Sequence, residues 1–352
     1  MAEDQSFMPT ASPGGLPTRR SRLYGRALDV GIRVGGLAIA IVIVIIIFTA
    51  LSKPNTFFRV ENGLVIMRYM STIAIVALGL TLVIVVGEID LSFGYMYGLA
   101  ATLVSVAWIV WGWPIWLAIA LAFAAAVGIG AMNALLVTLV KIPSFIVTLG
   151  TGQLIFGLTL LVSGTNTYNP VYPPEGRTVP QGEVDAFFTL SNQELPWDIP
   201  AQGVWMIGVA LVIGFLLSRS LFGFRLKAIG GNPLAAELAR LPIVKYKFAA
   251  FIVCAVLASL AAILDFSFIG STQPNLGLSL LFPVFAAVII GGASLSGGRG
   301  TAIGTLSGAL LLAIMQDGLA LNAVGAYLQQ FVQGAVTIAA VVLDRFTASL
   351  RR

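Results

Sequence analysis

The chain has no histidine, one cysteine and few charged residues, and each shortage excludes a class of function. Only 10% of its 352 residues are charged. Without histidine, and with Cys254 alone, it lacks the side chains of most zinc sites and of histidine-based catalysis. A single cysteine also excludes an intramolecular disulfide. We therefore expect no metal, no cofactor and no enzymatic centre on this chain.

Hydrophobic residues, by contrast, make up 58% of the sequence and occur in long runs. A charge-free run of about 20 residues is long enough to cross the hydrocarbon core as a helix. The sequence therefore predicts an all-α polytopic membrane protein with about ten transmembrane helices. The predicted spans are Val34 to Leu51, 65–86, 94–111, 114–138, 142–163, 203–219, 247–269, 279–293, 301–317 and 326–343.

The charges between these runs predict the orientation in the membrane. The loop 164–203 carries five acidic residues against one arginine, whereas 219–247 carries six basic residues against one glutamate. Cationic loops face the cytoplasm, so 219–247 is predicted to be cytoplasmic and 164–203 external, with irregular structure. Both termini are then cytoplasmic. Because the cations flank apolar runs, the net charge of +5 does not indicate a nucleic-acid partner.

Three regions follow from this organisation. Residues 1–30 are polar and basic, which predicts a flexible cytoplasmic tail. Residues 31–346 form the transmembrane domain, and 347–352 form a short cytoplasmic tail. The first apolar run is too long for a typical signal core and is followed by no small-residue cleavage site, so it is predicted to stay as an anchor.

Two stretches resemble each other where a span ends. IVVGEIDLSFG closes the second span and VIIGGASLSGG the eighth, and aligning Gly87 with Gly291 also pairs Ser92 with Ser296. Such echoes occur in transporters built from internal repeats, although so short a match also arises by chance. The stretches predict helix junctions near the cytoplasm. Their signature residues are Gly87, Asp90, Ser92, Gly94, Gly291, Gly292, Ser296, Gly297 and Gly298.

Short polar side chains at these junctions are candidates to cap the helices that follow. Asp90 and Ser92 are predicted to cap the third span, and Ser294 and Ser296 the ninth. GASLSGGRG also resembles a phosphate-binding loop, but Gly298 and Arg299 stand where that motif requires Lys and Ser or Thr. ATP must therefore bind to another subunit if it powers this protein.

The basic loop contains a candidate docking element. Gly230, Gly231, Asn232 and Pro233 predict a turn, after which LAAELARL forms a short helix that begins near Asn232. A short amphipathic helix that is flanked by cations and lies between two spans suits contact with a cytoplasmic protein, and contact with the lipid surface is the alternative. The candidate coupling residues are Arg225, Lys227, Gly230, Gly231, Asn232, Ala235, Ala236 and Glu237.

Together these motifs resemble one family. GEIDLSFG, AIGGNPLAAELA, GGASLSGGRGTAIGTLSGALLL and YLQQFVQGAVTIAAVVLDR are similar to motifs of the permease subunits of bacterial monosaccharide ABC importers, the ribose, xylose and galactose type, over residues 55–346. The resemblance implies the ABC importer permease fold in the inner membrane and a second permease subunit, as in a homodimer. It also implies a cytoplasmic ABC ATPase that binds ATP and Mg and docks on 220–247, and an extracytoplasmic sugar-binding protein.

The chain departs from the family pattern at several positions. Glu88 replaces a usual glycine, and no sequence feature explains a carboxylate there. Leu234 stands where the docking helix usually has glutamate, and Leu241-Pro242 replaces Ser-Gly. Phe282 and Pro283 are expected to interrupt the eighth span, where the family usually has smaller residues.

The leading hypothesis is the permease of an ABC importer that carries a monosaccharide or related polyol into the cytoplasm. Neutral sugars need hydrogen bonds more than charge, so Asn133, Gln153 and Asn166 are pathway candidates, with helix packing as their alternative role.

The rival hypothesis is an ion-coupled carrier of a small polar solute. Its relay would be Glu88, Asp90, Asp265 and Asp317, because acids inside a membrane mark ion pathways. Asp265 and Asp317 lie near predicted helix ends, where contact with water is a sufficient explanation. An intramembrane hydrolase is remote without histidine or a metal cluster.

Overall fold

The computed structural model describes residues 36–193 and 195–349, and for residue 340 and residues 343–349 the backbone alone. The predicted tail 1–30 and residues 350–352 lie outside the described residues. The helices are α1 (Gly36–Leu51), α2 (Val60–Val85), α3 (Phe93–Ser105, continued by a π-helical turn, Val106–Val110), α4 (Ile115–Thr138), α5 (Ser144–Ser163), α6 (Gln181–Asn192), α7 (Ala201–Arg219), α8 (Leu221–Gly231), α9 (Pro233–Leu238), α10 (Ile243–Ile269), α11 (Leu281–Ile290), α12 (Ala302–Leu321) and α13 (Ala326–Ser349).

Apolar length determines which of these helices can cross a membrane. Seven are long and apolar enough: α2, α3 with its π-helical turn, α4, α5, α7, α10 and α12. α1 and the segment Leu278–Ile290 are apolar but shorter. Every predicted span coincides with a helix, so the all-α polytopic class is confirmed, whereas the count of ten spans and the position of the termini stay predictions.

The core is built around α10, which packs between α2 and α4. A Cβ atom on Gly79 of α2 would lie 2.9 Å from the Cα atom of Cys254, and one on Gly130 of α4 would lie 2.7 Å from the Cα atom of Ile252. Small residues allow helices in membranes to approach at backbone distance, where dispersion contacts stabilise them. Cys254 is buried in this contact, as its apolar surroundings predict.

The polar segment between α5 and α7 is more ordered than predicted. Its helix α6 buries Val184 and Phe187, and the Phe187 ring lies 5.2 Å from that of Trp108 between centroids. Glu183 accepts hydrogen bonds from Trp108 Nε1 at 2.7 Å and from the backbone N–H of Ile115 at 3.1 Å. The expectation of irregular structure holds for residues 165–180 and was wrong for 181–192, because the apolar residues of VDAFFTL recur at helical spacing.

Helix α7 separates two ends of the protein. The acidic segment 164–200 precedes α7 and the basic segment 220–242 follows it, so the two lie at opposite ends of one span. We call them the acidic end and the basic end. The basic segment is shorter than predicted, because α10 begins at Ile243 and includes Lys245 and Lys247.

A non-helical segment precedes the eighth span, and the span itself is not interrupted where the sequence indicated. Residues 270–277 are not helical, a 3-10 turn at Leu278–Leu280 follows, and α11 begins at Leu281. Phe282 and Pro283 lie in the first turn of α11, where proline costs no hydrogen bond because the first N–H groups of a helix have no intrahelical partner. The predicted interruption by these two residues was therefore wrong.

Candidate coupling site

Two short helices, α8 and α9, form the candidate docking element at the basic end. Ser220 Oγ accepts a hydrogen bond from the Gly223 N–H at 3.2 Å and starts α8. Asn232 Oδ1 accepts one from the Ala235 N–H at 2.9 Å and starts α9. The predicted short helix opened by Asn232 is confirmed.

The outer surface of α9 is apolar and exposed. Leu234 and Leu238 are 68% and 79% exposed, and Ala235 and Glu237 are exposed beside them. Ala236 is buried and holds α9 against the protein. Two large apolar side chains next to one carboxylate form a surface suited to a protein partner.

The candidate cations of α8, Arg225 and Lys227, donate hydrogen bonds to other parts of the same chain. Lys227 Nζ donates to the Leu217 carbonyl at 2.8 Å, near the carboxyl end of α7, where a cation also interacts favourably with the helix dipole. Partial burial lowers the pKa of Lys227. Arg225 Nη1 donates to the Tyr246 hydroxyl at 3.2 Å and so joins α8 to α10. Both cations thus fix α8 to its neighbouring helices.

Gly230 joins the docking element to the membrane core through backbone contact. A Cβ atom on Gly230 would lie 1.9 Å from the Val85 carbonyl oxygen at the end of α2. The same carbonyl accepts a hydrogen bond from the Gly298 N–H at 2.8 Å. Gly297 also approaches, since its Cβ atom would lie 2.5 Å from the Gly230 carbonyl oxygen. The basic segment and both echoing junctions therefore meet at one point, the glycine junction (Val85, Gly87, Gly230, Gly297 and Gly298).

The two echoing stretches share one helix-ending turn. Gly87 and Gly292 have φ angles of +92° and +86°. After α2, the N–H groups of Gly87 and Glu88 donate to the carbonyls of Ile84 and Val83; after α11, those of Gly292 and Ala293 donate to Ile289 and Val288. Both are Schellman motifs, which require a positive φ angle that glycine adopts without strain.

This turn corrects the alignment of the two stretches. Gly87 corresponds to Gly292, so the pairing of Gly87 with Gly291 was wrong by one residue. Gly291 precedes the turn, with a φ angle of −66°, and packs on Gly304. Beyond the turn the stretches diverge, since α3 begins at Phe93 whereas α12 begins only at Ala302.

The predicted caps were largely wrong. The Ser92 side chain makes no cap hydrogen bond; instead its N–H and its hydroxyl both donate to Asp90 Oδ1, at 2.8 and 2.6 Å. Thr301 caps α12 by accepting from the Gly304 N–H at 3.1 Å, in place of Ser294 or Ser296. Ser294 accepts a hydrogen bond from Arg299 within the loop, and Ser296 is exposed.

Glu88 has a partner that the sequence did not reveal. Lys247 Nζ, near the start of α10, donates to Glu88 Oε1 in an ion pair, and both side chains are mostly buried. The pair connects the α2–α3 junction to the helix that directly follows the docking element. A hydrogen-bonded charge pair offsets part of the cost of removing both groups from water.

The remaining site candidates are scattered. Gly231 is exposed and approaches only Gly298, while Gly94 packs on Gly277. Asn133 is buried and its Nδ2 donates to Ser92 Oγ at 2.9 Å, which is a packing role. Gln153 is exposed and donates to the Tyr95 hydroxyl at 3.2 Å. Asn166 is exposed at the acidic end.

The two other candidate acids are held by neighbouring side chains. Asp317 is buried and accepts a hydrogen bond from Asn62 Nδ2 at 2.9 Å. Asp265 accepts hydrogen bonds from Thr72 at 2.7 Å, from Gln202 at 3.3 Å and from the Tyr97 hydroxyl. Solvation near a helix end was therefore the wrong explanation for Asp317, and it is incomplete for Asp265.

Comparison with known proteins identifies the family. Residues 62–341 match the family described as "Branched-chain amino acid transport system / permease component". The chain belongs to this permease family. It is 34% identical to the ribose import permease protein RbsC of Escherichia coli (strain K12) over 87% of this chain and 92% of that protein. It is 33% identical to the autoinducer 2 import system permease protein LsrD of Klebsiella pneumoniae over 77% and 79%, and 28% identical to the E. coli xylose transport system permease protein XylH over 88% and 91%.

Family membership and the seven apolar helices establish a multi-pass inner-membrane protein. The relatives are permease subunits of importers rather than enzymes. Sequence reasoning missed Val85, Lys247 and Thr301. Only Thr301 carried a local signal, because a threonine directly before an apolar helix is a typical cap.

Proposed function

We propose that this chain is the permease subunit of an ABC importer that carries a monosaccharide or related polyol into the cytoplasm. A separate ATPase would supply ATP and Mg. Relatives named for ribose and xylose support this substrate class. The observation that supports the mechanism is the glycine junction. There Gly230, in α8 of the docking element, contacts the end of α2 at backbone distance.

The partners follow from this arrangement. We propose that the ATPase docks on α9 through Leu234, Glu237 and Leu238, in the cytoplasm at the basic end. A binding protein would deliver substrate at the acidic end, and a second permease, in a homodimer, would complete the pathway. Both termini would then lie in the cytoplasm. Movement of α9 on ATP binding would reach α2 through Gly230 and would open the pathway by alternating access.

The ion-coupled alternative is less well supported. A proton or sodium relay needs acids that communicate with one another or with water. Here Glu88 is paired with Lys247, Asp90 with Ser92, Asp317 with Asn62, and Asp265 with Thr72. Each of these acids has its own partner, and none of these hydrogen bonds joins one acid to another.

Reconstitution tests the proposal. We expect proteoliposomes that contain the chain, its ATPase and its binding protein to take up radiolabelled monosaccharide only when ATP is hydrolysed. The chain alone, given a proton or sodium gradient, should take up none. Gradient-driven uptake by the chain alone would overturn the importer and favour the carrier.

A further inference from the structure

The non-helical segment between α10 and α11 places polar backbone inside the membrane domain. After α10 ends at Ile269, residues 271–277 run as a non-helical segment, Ser-Thr-Gln-Pro-Asn-Leu-Gly, which we call the descending segment. Its start is fixed beside α3 and the acidic end. The Thr272 N–H donates to the Tyr168 carbonyl at 3.1 Å, and Thr272 Oγ1 donates to Ser105 Oγ at 3.0 Å.

The descending segment then follows α3 toward the middle of the membrane. A Cβ atom on Gly98 would lie 2.7 Å from the Leu276 carbonyl oxygen, and one on Gly94 would lie 2.8 Å from the Gly277 carbonyl oxygen. The π-helical turn that continues α3 ends at Val110, and from there back to Gly98 is 12 residues of helix, or about 18 Å at 1.5 Å per residue. That distance is slightly more than half of a hydrocarbon core of roughly 30 Å.

Two amide side chains of this segment are exposed at that depth. Gln273 and Asn275 are exposed, whereas Thr272 and Gly277, which lie to either side of them in the sequence, are buried against the protein. Non-helical backbone occurs at membrane depth only where it is buried in protein or lines a water-filled cavity. Exposed amides would be costly in lipid. The exposed side of the descending segment therefore faces water rather than lipid.

We propose that the descending segment lines the translocation pathway, and that the amides of Gln273 and Asn275 hydrogen-bond the hydroxyl groups of a neutral polyol. This assignment rests on the proposed function for its substrate class. An amide both donates and accepts hydrogen bonds, as recognition of a hydroxyl group requires. Because it is uncharged, it does not attract ions into the site. Tyr95 follows Gly94 on α3, and its hydroxyl accepts a hydrogen bond at 3.2 Å from the exposed Gln153 of α5.

Cysteine accessibility tests the pathway without any need for transport. The native Cys254 is buried, so the unsubstituted chain supplies the background. Gln273→Cys and Asn275→Cys should react with a membrane-impermeant, positively charged thiosulfonate in membranes that contain the full complex. The matched control is Leu211→Cys, because Leu211 is apolar and 69% exposed in the middle of α7, as expected of a side chain in contact with lipid. Reaction at positions 273 and 275 no faster than at 211 would overturn the pathway assignment.

Uptake measurements test the hydrogen bonds. Gln273→Ala and Asn275→Ala should each lower uptake at low substrate concentration about fivefold, the effect of one lost hydrogen bond. Gln330→Ala, at an exposed amide of α13 outside both proposed docking surfaces, should leave uptake unchanged. Unchanged uptake in both pathway variants would overturn the binding role. Accessible cysteines in a complex that transports no sugar would instead retain the pathway and refute the proposed substrate.

Discussion

At the residue scale, the ion pair between Glu88 and Lys247 shows why a local reading could not explain Glu88. Its partner lies 159 residues later in the sequence, and seven helices separate the two residues along the chain. Lys247 was predicted to lie at the end of the basic loop, where the span 247–269 begins. The structure instead begins α10 four residues earlier, at Ile243, which turns Lys247 toward the α2–α3 junction.

Charge reversal tests this pair. We expect Glu88→Lys and Lys247→Glu each to lower the melting temperature of the purified protein by several degrees, since each leaves two like charges facing one another in a mostly buried site. The double variant should recover most of the loss. Glu61→Gln, at an exposed carboxylate of α2, is the control and should change little. Additive losses in the double variant would contradict the pairing.

Gly230 and Gly231 provide a second test, because they are adjacent in the sequence but differ in the room that their surroundings leave for a side chain. Gly230→Ala would place a Cβ atom 1.9 Å from the Val85 carbonyl oxygen, whereas for Gly231→Ala the nearest atom lies at 3.7 Å. Gly230→Ala should therefore abolish stimulated ATP hydrolysis, or prevent accumulation of the protein in the membrane, while Gly231→Ala retains both. The assay is ATP hydrolysis by the reconstituted complex. Equal activity of the two variants would disprove the close contact.

At the element scale, hydrophobic length predicted the helices well and their ends poorly. Every predicted span coincides with a helix because apolar runs of this length have few other stable forms in lipid. The caps failed because serine, threonine and aspartate are equally suitable at several positions near one helix start, and only the backbone path selects Thr301 over Ser294 or Ser296. The site was partly predictable, since Gly230 and Gly298 were singled out but their contact was not.

The exposed surface of α9 makes a prediction about the ATPase. Leu238→Asp should weaken co-purification of the ATPase about 30-fold in affinity, as expected for one central interface side chain that costs about 2 kcal/mol. Glu237→Lys should act in the same direction. Both side chains are exposed, so the melting temperature should not change.

The control for this measurement is Tyr172→Asp at the acidic end, where Tyr172 is 80% exposed. It should leave ATPase recovery unchanged. Full recovery of the ATPase with Leu238→Asp would favour a lipid-surface role for α9 instead.

At the scale of the whole molecule, the distribution of charge predicts which way the protein faces. Tyr172→Cys at the acidic end should react with an impermeant maleimide added to cells whose outer membrane is permeabilised and whose inner membrane is intact. Leu238→Cys at the basic end should react only after the inner membrane is permeabilised, because cationic segments remain in the cytoplasm. The reverse order of labelling would invert the predicted topology.

The glycine junction also determines how faithfully a displacement can be passed on. Flexible side chains between two helices absorb small shifts by changing rotamer. At Gly230 no side chain intervenes, and peptide groups with planar geometry meet one another directly. A shift of α8 by one ångström must therefore appear at the end of α2 as a shift of similar size. The contact between α8 and α2 is therefore mechanically rigid, and we expect the pathway to open in step with the ATPase cycle.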